Sequence, residues 1–386
     1  VALNIATHNR SCYHTNTEQI SKVFTVATPG NTPSTTPPVD SSTLSPALDA
    51  VRTNCHISDA SHATNYTLCV YLLKMREYYR WENNIPFDAN LSQQELTSWL
   101  SEREQHWDSL QGQSFKDIPV NGTRHDPFDA SAINDSLNAL GYVYSGGYGR
   151  NMKPVFFLAA LERCEHYHGY TLMVSGKEYA RDLSAPPAMS QGKHIFVRRE
   201  SLRRLLWEKI EEWRWNRPAN AMHKAINCYD FDNLPTQSLD AMTDNELHAV
   251  TLHEIGEVEA GTRLGHEWEE LLAAIPHSKA EIMLRAVRDN LADALSTLPN
   301  LLREARAASL HFYIANMTNM RRELSPGLVA AYENWTRSGN TDQLEQHAAA
   351  AATHWQGLAE TLLENYRKQG RNCQQSLVSI IEQNPF

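Results

Sequence analysis

The residues best suited to chemistry lie in one stretch, 243–270, TDNELHAVTLHEIGEVEAGTRLGHEWEE. His253, Glu254 and Glu257 fall within little more than one helical turn there. Thr243 and Glu246 read as a capping box, T-x-x-E, which predicts a helix start. With Leu247 at zero and about 100° per residue, Val250 falls near 300°, Val258 near 20° and Leu264 near 260°. Glu254, at about 340°, and Glu257, at about 280°, lie inside that apolar arc, and His253 lies beside it at about 240°. An unpaired buried carboxylate is unfavourable, so the pattern calls for a cation: a metal ion, an Arg or a Lys.

Two further helices supply partners. KAEIMLRAVRDNLADALSTLP is predicted as a helix ended by Pro299, with Asp289 and Asp293 one turn apart on its flank and Arg285 spaced to pair with Asp289. EARAASLHFYIANMTNMRREL is apolar nearly all round and reads as buried, with His311, Thr318 and Arg322 as its polar line. Carboxylate oxygens suit magnesium or manganese; added imidazoles move the preference toward iron or zinc. The first expectation is a divalent-metal-dependent hydrolase of a phosphorylated small molecule or nucleotide. Glu254, Glu257 and Asp293 would hold the ion, with Asp289, His253 and His311 as further ligands. Glu254 and His253 would move protons, and Arg321 and Arg322 would meet the substrate anion. The alternatives are an iron-dependent oxidase or oxygenase ligated through His253 and His311, and a non-enzymatic helical interaction protein. In the last, the acids pair with Arg214, Arg285, Arg321 or Arg322 in a buried network.

Together HEIGEVEAG and DNLADALSTL resemble the all-α nucleotide pyrophosphatases of the MazG and dimeric dUTPase type over residues 246–298. That resemblance implies an E-x-x-E helix and an E-x-x-D helix holding magnesium over a nucleotide triphosphate, carried here by Glu254, Glu257 and Asp293. Asn290 stands where the second helix of that pattern has its Glu. LHEIGEVEAG, 252–261, also resembles the H-E-x-x-H helix of the zincins, with Glu257 in place of the second His. The chain as a whole resembles an uncharacterised bacterial family of no known function.

The elements that must position these groups are mainly α: a multi-helix body with a small α+β insert of three or four short strands. Residues 1–46, rich in Pro, Ser and Thr, read as a poorly ordered segment, and 47–112 as a helical hairpin with a Ser92/Glu95 capping box. Residues 113–200 are mixed α+β; Gly146, Gly147 and Gly149 mark a hairpin turn beside Arg150 and Lys153. The span 201–324 is the central helical region that carries the site, and 325–386 holds C-terminal helices, one of them ended by Gly370.

The 386 residues suffice for a large core, and 41% hydrophobic with 21% charged residues describes a globular chain. A formal charge of −10 argues against nucleic acid as the general partner, and no apolar run is long enough to span a membrane. Six cysteines without a C-x-x-C pair, and the lack of a signal pattern in residues 1–30, predict a cytoplasmic protein with reduced thiols. A small-molecule substrate is the expected partner, and a homo-oligomer remains open.

Overall fold

The structure is a computed structural model and describes residues 41–149 and 152–386. Most of the segment expected to be poorly ordered, and Arg150 of the glycine turn, lie outside the described residues. From Ser41 onward the chain is helical. Three helices open it, α1 (Ser41–His62), α2 (Leu68–Glu82) and α3 (Gln93–Leu110), where a two-helix hairpin was expected. Ser92 caps α3 by accepting from the Glu95 amide, as its sequence predicts.

The mixed region carries a two-stranded sheet, β1 (Ile118–Val120) with β2 (Thr123–His125), and then α4 (Ala130–Leu137). A five-stranded sheet follows, made of β3 (Tyr142–Tyr148), β4 (Pro154–Tyr167), β5 (Tyr170–Arg181), β6 (Ala188–Gln191) and β7 (His194–Arg198). Its order is β3-β4-β5-β7-β6, antiparallel except for β5 against β7. The insert therefore has more strands than expected, and β4 and β5 are long. Gly146 and Gly147 lie within β3, and the hairpin turns after them, with the Gly149 amide donating to the Lys153 carbonyl.

Strand alternation explains how the sheet is covered on both faces. Met173 and Phe196 join Val51 and Cys55 of α1 and Ile133 and Leu137 of α4 in one apolar cluster. Their neighbours Leu172, Val174, Ile195 and Val197 pack on the other side with Ile255. Ile255 belongs to the long central helix, so the sheet sets the position of the residues next to it.

That helix follows α5 (Arg199–Asn216) and α6 (Ala221–Ile226). It is α7 (Pro235–Ala274), broken at Gly265, whose φ of +69° an L side chain rarely adopts. α7 starts a full two turns before the expected capping box. Pro235 occupies its first turn, where a missing N–H does no harm, and Thr243 is interior, its hydroxyl donating to the Leu239 carbonyl.

The helix predicted to stop at Pro299 is α8 (Lys279–Ala292), which passes into a π-helical stretch, Asp293–Thr297, and then α9 (Leu298–Arg303). Pro299 sits in the first turn of α9 rather than ending anything. The apolar helix after it is divided into α10 (Ala307–Asn316) and α11 (Asn319–Leu324), the second capped by Thr318. α12 (Pro326–Ser338), α13 (Asp342–Gln369) and α14 (Gln374–Glu382) complete the chain. Gly370 ends α13 as expected. The second half of α7, α8, α13 and α14 share one core around Trp268, Val287 and Trp355. The protein is mainly helical with a β insert, and among its described residues no helix is long and apolar enough to cross a membrane.

Candidate functional site

The site forms where α7 crosses α8. The helices come unusually close because Gly256 faces the backbone of Ala292: a Cβ there would lie 2.2 Å from the Ala292 carbonyl oxygen. Close crossing brings His253 and Glu254 of α7 against Asp293 at the start of the π-helical stretch. π-helical turns concentrate at functional positions because they re-aim side chains that an α-helix would space otherwise.

Asp293 is fully buried and fully engaged. Its Oδ1 receives His253 Nδ1 at 2.8 Å and the Thr297 hydroxyl at 2.7 Å, and its Oδ2 is held by Arg321 of α11. Burial alone pushes a carboxyl up, but Arg321 and His253 outweigh it and hold Asp293 well below the ordinary carboxylate range. Burial opposes charge on His253 as well, and Asp293 reverses this, raising the imidazole to about 10. Arg321 also donates to Asn290 and to the Tyr313 hydroxyl, each at 3.0 Å. Arg321 is thus locked by α8 and α10 from two sides.

The other carboxylates are less satisfied. Glu257 pairs with Arg288 at 3.0 Å, but its Oε1 is buried without a hydrogen-bond partner. Glu254 is buried and, among the described residues, has neither a hydrogen bond nor an ion pair; half-buried Asp289 is in the same position. Burial raises all three. Glu257 and Asp289 push Glu254 up further, to about 7. Two turns earlier on α7, Glu246 is buried against the Ser309 hydroxyl at 2.9 Å, and burial lifts it to about 7 too.

A cavity of about 220 Å³ opens beside these groups. Glu246, His253, Glu254, Asp293 and Arg321 line it, Phe312, Tyr313 and Met317 form an apolar wall, and Pro187 and Ala188 at the start of β6 close it. The chemistry within reach is proton transfer by a carboxyl that titrates near neutrality, next to a fixed imidazolium–carboxylate–guanidinium chain.

Of the residues named from sequence, His253, Glu254, Asp293 and Arg321 come together at the cavity, with Glu257 and Asp289 behind them. His311 and Arg322 do not join. His311 hydrogen-bonds the Tyr332 hydroxyl at 3.0 Å and stacks on Trp335, and exposed Arg322 donates to the Ile314 carbonyl. Adjacent residues on α11 leave it in different directions, so Arg321 points in and Arg322 out. Arg214 pairs with Glu211 and Arg285 with Glu281, each along its own helix, rather than with the central acids. Sequence reasoning missed Arg288, Tyr313, Glu246 and Thr297. Only Thr297 had a local signal, its spacing of one turn from Asp293. Among the described residues, no group of three or more His, Cys, Asp or Glu side chains already converges as a metal ion requires.

Fold and site together define a mainly helical protein whose polar cluster is enclosed between a β insert and a helical bundle. The chain belongs to the family of unknown function DUF6866: residues 47–198 match its N-terminal domain and residues 203–384 its C-terminal domain. The boundary between the two falls where β7 gives way to α5. No curated protein and no solved structure matches the chain.

Proposed function

We propose that this protein is a cytoplasmic, divalent-cation-dependent enzyme that hydrolyses a phosphorylated small molecule, working at the α7–α8 crossing. One observation carries the reading. Glu254 is a buried carboxyl and Asp289 a half-buried one, neither with a direct partner among the described residues, beside the buried, unpartnered Oε1 of Glu257. Such groups either keep a proton or wait for a cation, and an all-oxygen set favours magnesium or manganese. Bound there, the ion would polarise a phosphate and acidify a water molecule. Glu254 gives up its proton as the ion binds, and the Arg321–Asp293–His253 chain fixes the wall against which the substrate lies. Iron is disfavoured by the ligand set, because the cavity holds one imidazole and His311 is engaged with Tyr332.

The saturation of Asp293 favours a second reading, a purely structural network in a non-enzymatic interaction protein. Calorimetric titration with magnesium and manganese separates the two. Wild-type protein that binds either ion while Glu257→Ala does not, together with magnesium-dependent release of phosphate from a nucleotide panel, supports the enzyme. An absence of binding heat in the wild type sinks it.

A further inference from the structure

A second concave region lies on the N-terminal half, where α2 meets β5 and α5. Two adjoining cavities of about 320 and 490 Å³ share Trp81, Asn84, Lys177, Arg181 and Glu200, and neither shares a lining residue with the cavity at Asp293. Asn84, with a φ of +52°, turns the chain out of α2, so that Ile85, Pro86 and Phe87 wall the larger cavity. Arg80 pins that turn by donating to the Pro86 and Ala89 carbonyls.

The centre of the cleft is Arg181, only 3% exposed. Its guanidinium lies 4.6 Å from the Trp81 ring and 5.5 Å from Tyr78. It makes one hydrogen bond, from Nη2 to the Glu77 carbonyl at 3.2 Å, and its Nε has none. No carboxylate pairs with it among the described residues. The nearby acids face other groups: Glu178 Oε1 accepts from Arg198 and Ser201, Glu77 pairs with Arg76 and Arg80, and Glu200 accepts from the Glu178 amide, while the charge of Glu178, whose Oε2 has no hydrogen-bond partner, offsets part of the Arg181 charge without contact. Burial, with Arg204 close by, lowers Arg181 to about 10. Lys177, exposed at the mouth, likewise has no acid partner. The larger cavity is lined by six basic residues against three acidic ones.

Buried charges in folded proteins are paired, and a planar guanidinium is the group best matched to an oxyanion. We propose that this cleft is a binding site for a small oxyanion-bearing molecule, whose phosphate or carboxylate group completes the pairing of Arg181 and Lys177. The aromatic rings beside Arg181 hold it in place without neutralising it, and with no carboxylate in contact its N–H donors remain for the ligand. The proposal does not depend on the nature of the Asp293 cavity.

Calorimetry of the full chain with pyrophosphate and, in parallel, citrate at constant ionic strength tests this. Wild type is expected to saturate with at least one of them, and which one assigns phosphate or carboxylate. Lys177→Glu, an exposed change that spares the core, should weaken binding about tenfold or more, as loss of a charge-assisted contact does. Arg181→Gln should abolish binding, provided its circular dichroism matches wild type. Absence of saturation with both anions, or unchanged affinity in Lys177→Glu, overturns the proposal.

Discussion

His253 Nδ1 and Asp293 Oδ1 stand 2.8 Å apart across the helix crossing, while Arg321 holds the opposite oxygen of the same carboxylate. One buried anion is shared by two cations, and each partner's titration is displaced. Asp293 is lowered, so its contribution is present above its ordinary value of 3.8 and is lost as pH falls through the folded value. His253 is raised, so its contribution is complete below 6.5 and is lost as pH rises through about 10. Replacing His253 by Gln should therefore destabilise the protein at neutral pH and matter less above about pH 10. Urea unfolding of both proteins across that range checks this; a difference independent of pH would contradict the pairing.

Glu254 and Glu246 titrate the other way. Both move from 4.5 to about 7 on folding, so between those values the native state keeps protons that the unfolded chain has released. Stability should fall as pH rises through that window, by on the order of 3 kcal/mol for each group at most. Glu254→Gln should flatten its share of the slope. A magnesium-saturated protein should lose the Glu254 share too, because a bound cation lowers that carboxyl. An unchanged slope in Glu254→Gln would mean that the carboxyl is ionised in the native state.

Gly256 offers a purely steric prediction. Gly256→Ala places a methyl against the Ala292 carbonyl and must push α7 off α8, a change that costs about 1–3 kcal/mol or more. It should also lengthen the His253–Asp293 contact, visible as a fall in the imidazole pKa by NMR. An alanine variant as stable as wild type would show that the crossing is looser than described.

Lys153 makes the N-terminal half testable on its own. Its ammonium group lies 2.9 Å from buried Asp59 of α1 and 4.0 Å from Asp182, tying the start of β4 to the helix. Burial holds Asp59 at about 6 even with that partner. Lys153→Met strands two buried acids and should destabilise by about 3–5 kcal/mol, with partial recovery in Lys153→Met/Asp59→Asn. A double variant no better than the single one would place the loss elsewhere.

Helix phase was the legible part of the site. The position of Glu254 within the apolar arc of its wheel anticipates its burial, and the spacing of His253, Glu254 and Glu257 survives in the structure. Helix ends were less legible. T-x-x-E at Thr243 imitates a start, yet the same residue types serve inside a helix, where Thr bonds the carbonyl a turn back and Glu246 finds Ser309. Pro299 likewise reads as a stop and serves as a start. Partners across space left no trace in sequence: nothing local marks Arg288 as the cation for Glu257, or distinguishes Arg321 from its neighbour Arg322. The strand count rose because β1, β2 and β6, of three, three and four residues, are too short to show a period-two pattern.

The π-helical stretch at Asp293 has a consequence for how this chain can change with time. A turn of that kind holds one more residue than the α-helix around it. Removing a single residue between Asp293 and Leu298 would restore regular α winding with α8 and α9 still in register, because the wide turn absorbs that residue, and would re-aim the side chains inside the stretch. Asp293 would then no longer meet His253 and Arg321 as it does. A relative that has lost this polar cluster is thus expected to carry a one-residue deletion here, a mark that length alone would reveal.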